Sequence, residues 1–332
     1  MSVEIGSLMR PDILAGGLEI GLINNKIRNR FYDEILKKCK NKKCIEVGAG
    51  SGLLSLIALK HGAIHITCFE QEINTFTILK DAVQYCGLQD KITLINEKFT
   101  SDSIHKHHLH DCDLIFHELL GSNMWNDEGW PIRNTFDEKI DVEIIPNKLI
   151  GEFYIADMYE VNRLFRPGEY LDFLHGRVED IPNFDPGVEI DEKFVQFYNR
   201  CIDHYNSNTN NHENKCLFKK VLFESQRGFF NVVQERTLKK LYKHCFDLNT
   251  SDYSETKIRI KLPKSQKPYM LLPTYKTECD ESEMKMTTLC GFYAEAFVIF
   301  CDSDDAYFEL DTLNGTIKID NRVAFNGSST WY

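Results

Sequence analysis

The sequence predicts an α/β protein: a parallel sheet with helices on both faces, followed by a second, largely antiparallel β domain. Across about the first 145 residues, short apolar runs alternate with helical patterns, the arrangement that builds a helix-covered parallel sheet. After Pro146, strand-like runs follow one another with few helices between them. We therefore place one domain at 1–146 and a second, barrel-like domain at 147–332, with an inserted helical arm at about 161–215.

Periodicity and turn residues give the individual elements. The predicted helices lie within 18–38, 53–61, 74–85 and 194–205. The predicted strands are 44–47, 64–69, 92–95, 113–116, 149–156, 257–262, 289–300, 307–310 and 316–319. Gly62 and Gly87 are expected to end two of the helices.

Charge and cysteine usage exclude several classes of protein. The 332 residues carry 39 basic and 50 acidic side chains, a net charge of -11, which disfavours nucleic acid and suits a basic partner. No apolar run approaches the ~18–20 residues of a membrane span, and no signal peptide is expected. The eleven cysteines include no Cys-x-x-Cys, which favours buried thiols in a reducing compartment. We expect a cytoplasmic protein, or one in a host cytosol if it is a secreted effector.

A glycine-rich turn follows the first predicted strand. Residues 46–52 read Glu-Val-Gly-Ala-Gly-Ser-Gly, and Glu70 ends the second strand 18 residues after Gly52. Glycines let the backbone approach a ligand closely, and an acid at that strand end can accept both ribose hydroxyls. This form is typical of class I S-adenosylmethionine-dependent methyltransferases, in which Glu46 would face the methionine amine. The alternative is a glycine turn with two incidental acids.

A second cluster of acids follows the fourth predicted strand. Glu118 lies just past it, and Asp127 and Glu128 lie nine and ten residues further on. Two carboxylates on one loop can clamp a guanidinium through charge-assisted hydrogen bonds. The alternative is a capping glutamate and a solvated turn.

These residues resemble the protein arginine methyltransferase family. Residues 117–122, His-Glu-Leu-Leu-Gly-Ser, are similar to the loop that begins the family's pair of glutamates, in its symmetric-dimethylating branch. The run Ile-Ile-Pro at 144–146 is similar to the family's hinge between domains. Arg28 and Tyr32 match its first-helix pattern, in which the arginine pairs with the carboxylate of the cofactor.

The resemblance implies a cofactor, a substrate and a set of site residues. The cofactor is S-adenosyl-L-methionine, and the substrate is an arginine in a protein or peptide. The catalytic residues would be Glu118 with Asp127 or Glu128. The residues that bind the cofactor would be Arg28, Glu46, Gly48, Gly50, Gly52, Glu70 and Thr100. Substrate binding would fall to Tyr32 and to Trp331, the counterpart of a tryptophan in a loop near the end of the family's barrel.

The resemblance also implies a homodimer. The family's arm docks on a partner subunit, and here one helical face of the predicted arm carries Phe194, Phe197, Tyr198, Cys201 and Tyr205. The alternative is that this helix packs on its own domain and the chain is a monomer.

Two further readings of function stay open, and no metal site is expected. The acceptor could instead be a lysine, a histidine or a small amine, or the chain could be an inactive relative that only binds partners. The histidines of 105–110 favour a solvated basic loop over a metal site, because their His-x-x-His and His-x-His offsets allow the convergent geometry of metal ligands only loosely.

Overall fold

The computed structural model describes eleven segments of the chain: 23–119, 142–157, 183–208, 238–247, 257–265, 269–280, 285–287, 296–301, 303–311, 316–319 and 324–329. The helices are α1 (Lys26–Ile35), α2 (Leu53–Lys60), α3 (Ile73–Cys86), α4 (Ser101–Lys106) and α5 (Glu192–Asn208). The first five strands are β1 (Lys43–Val47), β2 (His65–Phe69), β3 (Ile92–Ile95), β4 (Leu114–His117) and β5 (Glu143–Ile145). The other strands are β6 (Lys148–Asp157), β7 (Leu238–Asp247), β8 (Lys257–Lys261), β9 (Tyr269–Glu278), β10 (Lys285–Thr287), β11 (Ala296–Phe300), β12 (Tyr307–Asp311), β13 (Thr316–Ile319) and β14 (Ala324–Ser329).

The first five strands form one parallel sheet in the order β3-β2-β1-β4-β5. The strand order reverses between β1 and β4, and in open α/β sheets ligands bind outside the strand ends at that point. The four strands predicted for this domain are confirmed. Strand β5 is an addition, because Ile144 and Ile145 were interpreted only as part of a junction.

Helices α1, α2 and α3 cover this sheet. Asn25 caps α1, since its side chain accepts a hydrogen bond from the Arg28 backbone N–H at 3.0 Å. Helix α2 is apolar almost all round and its residues from Leu53 to Ala58 are buried, as expected for a helix enclosed by other elements. Helix α3 ends at Gly87, whose φ of +71° confirms the predicted glycine cap.

The second half of the chain forms two antiparallel sheets. One joins β14-β11-β9-β6-β7 with β10 beside β9, and the other is β13-β12-β8. The ring of Phe153 on β6 packs against that of Phe308 on β12, with centroids 4.9 Å apart. The antiparallel character is therefore confirmed, while a barrel-like arrangement of these sheets stays a prediction.

Helix α5 packs on its own chain. Phe194, Phe197, Tyr198 and Cys201 are each no more than 2% exposed, and Phe197 lies against the ring of Tyr85 on α3 at 5.6 Å. The expectation that these residues present an apolar face to a partner is wrong, because α3 and its surroundings already cover them. Of the helices in the described segments, none is both long and apolar enough to cross a membrane.

Candidate active site

The three glycines after β1 have different structural reasons to be glycine. All have positive φ, +72° at Gly48, +54° at Gly50 and +82° at Gly52, a region that side chains disfavour. A Cβ at Gly48 would lie 2.5 Å from Leu119 Cδ2, and one at Gly52 would lie 2.5 Å from Leu79 Cδ1. At Gly50 the nearest atom would be the Gly48 carbonyl at 4.0 Å. Gly50 is thus the glycine of this turn that has open space beside it.

Glu70, predicted to bind the ribose, holds the glycine turn in place. Its Oε2 accepts the backbone N–H of Gly50 at 2.9 Å, and its Oε1 accepts that of Glu72 at 2.8 Å. The residue is 7% exposed, and burial raises the pKa of its carboxyl. A carboxylate has about four acceptor positions, so two such bonds leave capacity for ligand hydroxyls.

Glu46 lies behind the turn. It is 1% exposed, and its carboxyl accepts a hydrogen bond from Ser55 Oγ on α2 and lies 3.7 Å from Cys68 Sγ on β2. Burial raises the pKa of this carboxyl to about 8. Its contact with the methionine amine stays a prediction.

Thr100 is placed at a helix start. It is the N-cap residue of α4, and its backbone N–H donates to Ser103 Oγ at 3.0 Å. Its part in cofactor binding stays a prediction.

Arg28 and Glu118 form a buried ion pair. Arg28 Nη2 donates to Glu118 Oε2 across 3.0 Å, and each side chain is 6% exposed. Arg28 Nη1 also donates to Asn29 Oδ1 at 3.2 Å, and the guanidinium lies 5.3 Å from the centre of the Tyr32 ring. The resemblance assigned Arg28 to the carboxylate of the cofactor and Glu118 to the substrate. The structure brings the two side chains together.

Tyr32 and His117 are buried next to this ion pair. Tyr32 is fully buried, and its hydroxyl donates to the backbone carbonyl of His117 at 2.9 Å. Contact between Tyr32 and a substrate therefore stays a prediction. His117 is also fully buried, and its Nε2 lies 3.1 Å from the carbonyl oxygen of Pro146. Sequence reasoning gave His117 no role, because its partners are 85 and 29 residues away.

Three predicted site residues lie outside the described residues. They are Asp127, Glu128 and Trp331. Of the histidines of 105–110, His105 lies in α4 and the others lie between α4 and β4, where His107 Nε2 is 2.7 Å from Glu97 Oε1. Within the described segments, no three His, Cys, Asp or Glu side chains are grouped so that they could hold a metal ion.

Five parallel strands with a glycine turn after β1 and an acid after β2 fit a Rossmann-like methyltransferase domain. The segment 23–118 matches a family model described as "Conserved hypothetical protein 95". A segment is 34% identical over 82 residues to "Protein arginine N-methyltransferase 1" of Saccharomyces cerevisiae. Another alignment is 31% identical over 86 residues to "Probable protein arginine N-methyltransferase 1.2" of Arabidopsis thaliana. Each alignment covers 25% of this chain, and 22% and 23% of those relatives. The resemblance to the arginine methyltransferases is confirmed.

Solved structures align over more of the chain at lower identity. The Trypanosoma brucei PRMT1 enzyme-prozyme heterotetrameric complex with AdoHcy has a TM-score of 0.43 at 14% identity, covering 91% of this chain and 93% of its own. Arabidopsis thaliana protein arginine methyltransferase 10 has a TM-score of 0.46 at 11% identity, covering 92% and 96%.

Proposed function

We propose that this protein transfers the methyl group of S-adenosylmethionine to a guanidinium nitrogen of an arginine in a protein or peptide. The observation that carries the proposal is the placement of Glu118. Its carboxylate holds a guanidinium, that of Arg28, at 3.0 Å in a buried site. The next residue, Leu119, packs so closely on the glycine turn that a Cβ at Gly48 would lie 2.5 Å from it. A guanidinium-binding carboxylate and the candidate cofactor turn are therefore neighbours.

The chemistry of the described residues fits the cofactor. The open space at Gly50 permits close approach to the backbone, and the Glu70 carboxylate, fixed by two backbone N–H groups, is suited to a ribose. Arg28 has N–H donors beyond the one that contacts Glu118, so it can also donate to the carboxylate of the cofactor. When bound, S-adenosylmethionine would supply a methyl group already activated by its sulfonium.

The chain's own residues would then orient and polarise the acceptor. Glu118, with Asp127 or Glu128 as the second carboxylate, would hold the guanidinium and draw its positive charge away from the attacking nitrogen. Alignment of that nitrogen supplies much of the rate. The methylated guanidinium loses a proton afterwards, so no strong base is needed.

The wider assignments are part of the same proposal. We retain the domain limits of 1–146 and 147–332, the barrel-like form of the second domain with an inserted arm at about 161–215, a contact of Trp331 with substrate, and a cytoplasmic location. The net charge of -11 favours Arg-rich partners over nucleic acid. A homodimer also stays a proposal, now without α5 as its contact.

A methyl-transfer assay with labelled S-adenosylmethionine tests the function. Arg-rich, Lys-rich and His-containing peptides are offered side by side, and mass spectrometry identifies the methylated residue. Methylarginine is the expected product, while methyllysine or methylhistidine would indicate another acceptor. Binding of S-adenosylhomocysteine by calorimetry without transfer to any peptide would instead indicate an inactive binding relative.

A further inference from the structure

His117 is anchored at both its backbone and its side chain. It is the last residue of β4 and directly precedes Glu118. From one side the hydroxyl of Tyr32 on α1 donates to its carbonyl oxygen at 2.9 Å, and on the other side its Nε2 faces the carbonyl oxygen of Pro146 at 3.1 Å. A carbonyl oxygen only accepts hydrogen bonds, so Nε2 carries the proton and donates.

Pro146 lies at the junction between the two halves of the chain. It follows β5, the last strand of the parallel sheet, and stands two residues before β6 of the antiparallel sheet. The neighbouring Asn147 is buried, and its Nδ2 donates to Asp280 Oδ2 after β9 at 2.8 Å. The His117 side chain therefore connects the strand end that bears Glu118 to the start of the second half.

The imidazole is suited to holding this position and not to moving protons. Burial lowers the pKa of His117 to about 4, so the ring stays neutral and keeps one proton near neutral pH. Its tautomer is fixed by the Pro146 carbonyl.

We propose that His117 is a positioning residue for the reaction: through the Pro146 carbonyl it fixes the Glu118 carboxylate relative to the second half of the chain. This inference rests on the proposed function. In such a site a small misplacement of a charged group is costly, because the electrostatic effect depends on preorganised geometry.

Three substitutions at His117 test the proposal. In His117→Gln the amide nitrogen reaches as far as Nε2, in His117→Asn it is one carbon shorter, and His117→Leu removes the donor at similar volume. The matched control is Thr277→Val, which removes another buried side-chain donor, from Thr277 Oγ1 to the Lys148 carbonyl at 3.1 Å. Readouts are kcat, KM for peptide and cofactor, binding of S-adenosylhomocysteine, and thermal unfolding.

We expect His117→Leu and His117→Asn to lower kcat at least ~10-fold while binding of S-adenosylhomocysteine stays within about twofold. His117→Gln should recover most of kcat, and Thr277→Val should retain it. Equal kcat in the leucine variant and the wild type, or equal losses in all three variants, would overturn the proposal. So would failure of all three to fold when Thr277→Val folds, since His117 would then be purely structural. If the wild-type protein transfers no methyl group, the proposed function is wrong, and this inference fails with it.

Discussion

Arg28 and Glu118 lie 90 residues apart in the sequence, yet their side chains form an ion pair at 3.0 Å with each only 6% exposed. Removing one member of such a pair leaves a buried charge without its counterion. Arg28→Ala should therefore lower the free energy of unfolding by about 3–5 kcal/mol. Urea denaturation measures this change.

A double-variant cycle isolates the pair. Arg28→Met combined with Glu118→Leu should recover a large part of the loss caused by Arg28→Met alone, because no buried charge remains. If the two single losses simply add, the ion pair contributes no coupling and the buried geometry has been misjudged.

Glu118→Gln should cut methyl transfer at least ~100-fold, since the fixed negative charge beside the guanidinium is lost. Affinity for S-adenosylhomocysteine should be retained, as measured by calorimetry. Glu143→Gln is the matched control, because Glu143 is paired with Lys38 and Lys42 and not with Arg28. Turnover within twofold of wild type in Glu118→Gln would place the guanidinium site elsewhere.

Gly48→Ala should reduce both stability and turnover, because its Cβ would meet Leu119 Cδ2 at 2.5 Å and its φ of +72° disfavours a side chain. The backbone strain alone costs roughly 1–2 kcal/mol. Adding Leu119→Ala should relieve the contact and restore part of the activity, as judged by kcat and thermal unfolding. No gain on adding Leu119→Ala would show that the collision is not what harms the single variant.

Tyr198→Phe tests whether α5 supports the glycine turn. The Tyr198 hydroxyl donates to the Ser51 carbonyl at 2.7 Å, and its loss should cost about 0.5–1.5 kcal/mol of stability and weaken binding of S-adenosylhomocysteine. Phe194→Asp should disrupt the packing of α5 on α3 and lower stability further, without changing the mass measured by sedimentation. A wild-type dimer that Phe194→Asp converts to a folded monomer would contradict this packing.

The pH dependence of stability should separate Glu46 from His117. Burial raises the pKa of Glu46 in the folded chain from 4.5 to about 8. The contribution of this group to the free energy of unfolding therefore falls as the pH rises between those two values, by up to ~1.4 kcal/mol per pH unit. His117 has a pKa lowered from 6.5 to about 4, so its contribution is lost as pH falls through that range. The free energy of unfolding of Glu46→Gln should therefore increase relative to that of the wild type as pH rises, as measured by urea denaturation.

The matched variant is His117→Gln. Its free energy of unfolding should increase relative to that of the wild type as pH falls below 6.5. A difference from wild type that does not vary with pH, for either variant, would mean that the group titrates as it does in the unfolded chain.

Much of the parallel-sheet domain could be predicted from the sequence because its signals are local. Short runs of four to six residues indicated β1 to β4, and Gly87 ended α3 where a left-handed residue was needed. The sequence also predicted Glu70 at the end of the strand beside the glycine turn, whereas its hydrogen bond to Gly50 was found only in the structure. Strand β5 was too short to give a periodic signal.

The sequence by itself determined which residues are apolar, which turns need glycine and where the acids follow strands. Only the tertiary structure decided what each side chain contacts. Periodicity showed one apolar face on α5 but could not say that α3 of the same chain covers it. In the same way, nothing local to Arg28, Glu118 or His117 reveals their partners, because ion pairs and buried hydrogen bonds form between residues that are close in space and distant along the chain.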